Sequence, residues 1–146
     1  MRDGGLWWRP LHAPEGVAYG TNSKHDKVEP KDVLIVEDEV YLCDLIADVL
    51  EAEGHTARKA ANGREALVMV QSRRPQIILL DLMMPVMDGW EFRRTQQSDP
   101  ALATVPVVVL SALDHRRAAD VDAVAFLKKP LDFDRLLELV RHYCRS

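Results

Sequence analysis

An α/β fold is predicted, a five-stranded parallel sheet doubly wound by helices as (βα)5, and three features of the 146-residue sequence carry that reading. Continuous apolar runs of strand length alternate five times, over about 115 residues, with stretches whose apolar residues recur at helical spacing. The runs lack polar alternation, as expected of strands covered on both faces. Acidic, hydroxyl and amine side chains gather at the ends of those runs, the edge where open α/β sheets bind ligands.

Val33-Leu34-Ile35-Val36 is the first buried strand. Leu42, Leu45, Ile46, Val49 and Leu50 follow at helical spacing, with Asp44, Asp48 and Glu51 on the opposite side and Gly54 as a stop. Residues 55–60 form a weaker strand. Asn62-Gly63 turns into a helix carrying Ala66, Leu67 and Val70, which ends before Pro75. Residues 77–80 are the third strand, 85–89 a loop, and 90–97 a helix closed by Asp99-Pro100. Residues 105–110 are the fourth strand, 112–120 a short helix, and 123–127 the last strand. Phe133, Leu136, Leu137 and Val140 mark the final amphipathic helix.

Composition excludes several classes. The chain is 47% hydrophobic and 29% charged, which suits one compact domain with length to spare. Its net charge of -4 is too mild for a disordered acidic chain and of the wrong sign for a nucleic-acid binder. No apolar run approaches the roughly 18 residues of a membrane span, and no signal-peptide core follows Arg2. A cytoplasmic protein is expected. Cys43 and Cys144 fit reduced packing thiols at opposite ends of one layer, unsuited to a disulfide.

Residues 1–30 read as a flexible N-terminal leader, and residues 31–146 as the folded domain. The leader holds four glycines and three prolines without apolar periodicity, and its charges balance. Trp7-Trp8 is either a docking anchor or part of a plain disordered extension, the second being the simpler reading.

The strand ends carry the chemistry. Glu37-Asp38 follows the first strand, Asp81 the third, Ser111 the fourth and Lys128-Lys129 the fifth. Acids at neighbouring ends of buried strands repel and need a cation. An all-oxygen set suits Mg²⁺, which works beside phosphate. Mg²⁺, a lysine and a hydroxyl converging on one carboxylate make a phosphoryl-transfer arrangement with Asp81 as nucleophile. Read one at a time, these acids are solvated helix caps. Agreement of all five positions argues against that.

Four ordered blocks give a resemblance. They are Val33-Leu34-Ile35-Val36-Glu37-Asp38-Glu39, Leu79-Leu80-Asp81 running on to Met87-Asp88-Gly89, Val107-Val108-Val109-Leu110-Ser111-Ala112, and Phe126-Leu127-Lys128-Lys129-Pro130. From Lys31 to Arg145 the chain resembles the receiver domain of bacterial two-component response regulators, which has a flavodoxin-like fold. The resemblance implies that Asp81 accepts phosphate from a histidine kinase or histidine phosphotransferase. It further implies that Glu37, Asp38, Asp81 and the backbone carbonyl of Met83 hold Mg²⁺. Ser111 is then the switch hydroxyl, Phe126 the switch aromatic, and Lys129 the family's lysine before a cis proline. Lys128 is a solvated neighbour, and Gly89 supplies backbone freedom after the phosphorylation loop.

Three departures from the family pattern stand out. The span from Ser111 to Lys129 is about four residues short, roughly one helical turn, and Asp122 stands near the place of a usual glycine. That puts in doubt a dimer or target surface built around the fourth helix. Phe126 replaces a frequent tyrosine. Met83 and Leu113 are apolar where polar side chains can orient a hydrolytic water, which implies slow loss of phosphate.

The sequence leads us to expect a stand-alone receiver, monomeric or dimerising on phosphorylation, with an unknown downstream protein partner. Direct binding to nucleic acid or membrane is not expected. A haloacid-dehalogenase-type phosphatase would need an aspartate at Met83, FMN phosphate would be repelled by Glu37-Asp38-Glu39, and a degenerate receiver would have lost a group that is present here.

Overall fold

A computed structural model describes residues 29–113 and 119–143. The leader up to residue 28 and Cys144 lie outside the described residues, as does most of the expected helix over 112–120. Parallel strands β1 (Asp32–Val36), β2 (Thr56–Ala60), β3 (Ile77–Asp81), β4 (Val107–Ser111) and β5 (Ala125–Lys128) form one sheet in the order β2-β1-β3-β4-β5. Helices α1 (Val40–Ala52), α2 (Gly63–Ser72), α3 (Gly89–Gln97) and α4 (Phe133–Tyr143) connect or follow them, with a 3-10 turn at Ala119–Val121. The strand order reverses between β1 and β3, so the ends of these two strands border the crevice where such sheets bind ligands.

Every residue of β3 and β4 is buried, which is why both read as unbroken apolar runs. β2 is an edge strand and half exposed, hence its weak signal. Two cores flank the sheet. One packs Leu34, Val36, Leu80, Val109 and Phe92 beneath α2 and α3; the other packs Ile35, Leu79, Leu110, Ile46 and Leu136 beneath α1 and α4. Cys43 belongs to the second core, and burial pushes its thiol up to about 11, which leaves it unreactive.

Local chemistry ends the helices where expected. Gly54 adopts a positive φ of 91° after α1. The Asn62 and Asp88 side chains accept N–H bonds from Glu65 and Glu91 at 3.0 and 2.9 Å, capping α2 and α3.

The segment entering β5 is fastened to α3 by polar groups that helical periodicity does not reveal. Arg93, buried on α3, donates to the carbonyls of Val121 and Asp122 at 3.1 and 2.7 Å and to the Gln96 amide oxygen at 2.9 Å. Trp90 donates its indole N–H to the Asp120 carboxylate, and Gln97 its amide to that of Asp122, both at 3.2 Å. Asp122 has a positive φ of 62°, the conformation that a glycine near this place would take without cost. Replacing Arg93 with alanine strands two backbone carbonyls. Urea unfolding of the full chain is expected to show a loss of about 2–4 kcal/mol for Arg93→Ala, against less than ~1 kcal/mol for an exposed change such as Arg94→Ala.

Candidate functional site

Strand register builds the site. Val36 pairs with Leu80 and Asp81 with Leu110, so Glu37, one step past β1, lies level with Asp81 at the end of β3. Leu110 pairs with Leu127 and Ser111 with Lys128, which brings the β4 and β5 ends to the same edge. Buried strands fix these backbones, and the side chains at their ends have little freedom to separate.

Three carboxylates crowd here. Glu37, Asp38 and Asp81 each offer an oxygen, and these oxygens lie within 4.8 Å of one another. Glu37 is 2% exposed and Asp81 4%, while Asp38 faces solvent. Lys129 stands between the two buried acids, with Nζ donating to Glu37 Oε1 at 2.9 Å and lying 3.6 Å from Asp81 Oδ1. Glu37 uses its other oxygen, Oε2, to accept the Glu39 N–H at 3.1 Å. The Met83 N–H reaches Asp81 Oδ1 at 3.4 Å.

The charges explain the titration. Burial and the neighbouring Glu37 push the Asp81 carboxyl up to about 7, against the pull of Lys129 and the Met83 N–H. For Lys129, burial favours the neutral amine. The hydrogen bond to Glu37 and the charges of Asp81 and Glu37 together outweigh it and raise the pKa. Among the described residues the site is an anionic cleft with one cation, Lys129, in it, and the donor set of three carboxylate oxygens fits a hard divalent ion such as Mg²⁺.

Ser111 ends β4 and is buried; its Oγ accepts the Leu113 N–H at 2.9 Å, leaving its own proton to donate. Its carbonyl accepts the Lys129 N–H at 2.9 Å, so the hydroxyl and the lysine hang on one backbone bond. The Lys129-Pro130 peptide is cis. Lys128 is exposed. Phe126 pairs with Val109 and packs, half-buried, against the core beneath α2 and α3.

The loop after Asp81 departs from expectation in detail. Gly89 does not take a positive φ. Its hydrogen is needed for space: a Cβ would stand 2.5 Å from the Asp81 carbonyl oxygen and 2.8 Å from the Leu82 Cα. Close approach of α3, not backbone freedom, is what requires glycine at this position. Freedom would instead suit Val86, a β-branched residue at φ 71° closed by a Met87 N–H to Pro85 carbonyl bond of 2.8 Å. This γ-turn is strained. The Met87 carbonyl, held by the Gly63 N–H at 2.9 Å, ties the loop to α2.

The response regulator receiver domain model matches residues 33–141. This chain belongs to that family. The polar-differentiation response regulator DivK of Brucella anthropi is 32% identical over 118 residues, which cover 78% of this chain and 96% of DivK. Among solved structures, the chemotaxis protein CheY4 of Vibrio cholerae has a TM-score of 0.72 at 28% identity, covering 79% of this chain and 99% of that one. The receiver domain of a sensor histidine kinase from Pseudomonas aeruginosa, solved with a magnesium ion in its active-site cleft, shares the fold (TM-score 0.74, 24% identity, 81% and 100% covered). Receiver domains are signalling modules of two-component systems that work with histidine kinases or phosphotransfer proteins and bind Mg²⁺ at an acidic site. Among the described residues of this receiver, no helix is long and apolar enough to cross a membrane.

Crowding the acids costs stability, and its sign with pH follows from Asp81. A raised carboxylate pKa disfavours the fold once the group must ionise, so the penalty grows from the unfolded value near 4 and is complete above about 7. Asp81→Asn is therefore expected to stabilise the chelator-treated protein by about 1–3 kcal/mol at pH 8. Most of that gain should vanish at pH 5, as read by denaturant unfolding at the two pH values.

Proposed function

We propose that this chain is a cytoplasmic, phosphoryl-accepting response regulator receiver. It takes a phosphoryl group on Asp81 from a histidine kinase or histidine phosphotransferase, and the modification changes which downstream protein it binds. The observation that carries this reading is the Lys129 ammonium seated between Glu37 and Asp81, within a cluster of three carboxylates that converge on one point.

Glu37, Asp38 and Asp81, with the Met83 carbonyl, would hold Mg²⁺, which when bound supplies positive charge to the phosphoryl oxygens. Asp81 is the nucleophile. One carboxylate oxygen forms a bond to phosphorus as the bond from phosphorus to the donor imidazole nitrogen breaks, and the electron pair leaves with that nitrogen. Lys129 offers its ammonium to the oxygens of the transferred group. Ser111 turns its unused O–H toward the same oxygens while its Oγ is held by the Leu113 N–H. Because Lys129 and Ser111 share a backbone hydrogen bond, movement of one displaces the other. Phe126, two residues before Lys128 on β5, adjusts its half-buried ring against the core, and the domain shifts between two packings. The same equilibrium sets whether the domain stays a monomer or dimerises when phosphorylated.

Met83 is 59% exposed and has no side-chain group able to orient water on the phosphorus. Phosphate should therefore be lost slowly.

Intact mass after incubation with Mg²⁺ and a small phosphodonor tests the acceptor. A single phosphoryl adduct is expected in the wild type, absent in Asp81→Asn and abolished by EDTA; an adduct that survives in Asp81→Asn overturns the assignment. On the phosphorylated protein, Met83→Asn is expected to speed decay by about tenfold, roughly 1.4 kcal/mol in the barrier. An unchanged decay rate would remove Met83 from the account.

A further inference from the structure

The turn from β2 into α2, Ala60 to Gly63, holds both chain segments that flank the acidic cleft. On one side the Ala60 carbonyl accepts the Glu37 N–H at 3.0 Å, which fixes the first residue of the acidic pair. On the other side the Gly63 N–H donates to the Met87 carbonyl at 2.9 Å, and Met87 belongs to the loop that carries Met83. Both ties are backbone ones. The loop is closed on itself by the Gly89 N–H to Leu82 carbonyl bond of 2.9 Å. Within it Val86 sits at φ 71°, a conformation that a valine keeps only where the surroundings impose it.

The turn itself is stiff. The Asn62 side chain accepts the Glu65 N–H at 3.0 Å, and the Glu65 carboxylate accepts the Ala61 N–H at 2.8 Å. This reciprocal pair closes the start of α2. Gly63 is buried there and has no room for a side chain: a Cβ would stand 2.7 Å from Met87 Cγ and 2.9 Å from the Met87 carbonyl oxygen. The methionine side chain can swing aside, whereas the carbonyl moves only with its loop. Alanine is the better helix former, so contact with the loop, not helix formation, calls for glycine at this position.

We infer that Ala60–Gly63 is a brace that sets the spacing of the segment bearing Glu37 and Asp38 against the loop bearing Met83. Gly63 is then a positioning residue for the divalent ion. The inference rests on the reading of these residues, with Asp81, as the Mg²⁺ ligands. Outer supports tune a metal site without touching the ion. Here the support is one peptide N–H and the space of an absent methyl group.

Amide NMR spectra of the full chain, first without metal and then through a Mg²⁺ titration, test the brace in Gly63→Ala, Asn62→Ala and Val70→Ala. Val70 is buried on α2 beyond the turn, so its variant loosens the packing of that helix and leaves the turn intact. Gly63→Ala is expected to shift the Met83 and Met87 amides before metal is added and to weaken Mg²⁺ binding about tenfold. Asn62→Ala, which only uncaps α2, should weaken it about threefold, and Val70→Ala should leave it unchanged. An unshifted Met83 amide or an unchanged affinity in Gly63→Ala overturns the brace. So does a loss of affinity in Val70→Ala as large as that in Gly63→Ala, which would make lowered stability the cause. Full recovery in Gly63→Ala/Met87→Ala overturns it too, because that change removes the methionine side chain and leaves the carbonyl. Should Gly63→Ala fail to fold, Asn62→Ala decides by the same two readings. A wild type that takes up no Mg²⁺ sinks the reading of the ligands, and the metal-free shift at Met83 then judges the brace by itself.

Discussion

Negative charge confined at the edge of a buried sheet is the constraint on which the remaining structure depends. Glu37 and Asp81 sit on neighbouring strand ends with almost no access to water, and Asp38 adds a third carboxylate from the solvent side. Left alone, such a group would repel itself open. Lys129 counters part of that charge from one residue past β5, and its placement needs β4 and β5 in register, because the Ser111 carbonyl holds its backbone. The apolar cores have a functional consequence in this light. They supply the rigidity that keeps like charges together.

The loops around the cleft are held by the same logic of local cost and remote support. Val86 occupies a backbone conformation that valine avoids, and the Met87 carbonyl beyond it is fixed by the N-terminus of α2. Gly89 lets α3 come within touching distance of the Asp81 backbone, so α3 begins where the acidic cleft ends. Strained backbone of this kind persists only where the surroundings over-determine it, and it gathers at sites with work to do.

Much of this is legible in the sequence, for identifiable reasons. β3 and β4 are buried on both faces, so their apolar runs are unbroken and can be placed to within a residue or two. The acids and Lys129 are legible because a charge at the end of a buried strand is costly and is kept only where a partner or a ligand offsets it, whereas the neutral Ser111 stands out only by its place at the end of an apolar run. Periodicity misplaces the start of β5 by two residues, since Ala123 and Val124 are apolar but lie outside the strand. It is silent on pairing: nothing in spacing says that Lys129 lies closer to Glu37 than to Asp81. The role of Gly89 is misread because a glycine's sequence context does not distinguish a need for positive φ from a need for room. Nothing in the spacing of α3 marks Arg93 as buried or points to its carbonyl partners at Val121 and Asp122.

Those partners have a mechanical consequence. Trp90, Arg93 and Gln97 bind three successive residues just before β5, so the approach to that strand and α3 are coupled like two arms of one lever. A displacement of that approach would reach α3 through these bonds, and the same stretch of chain leads on through Phe126 to Lys129. The outward row of that helix, Glu91, Arg94 and Thr95, is exposed, and it stands at the far end of a linkage made of hydrogen bonds rather than of apolar packing.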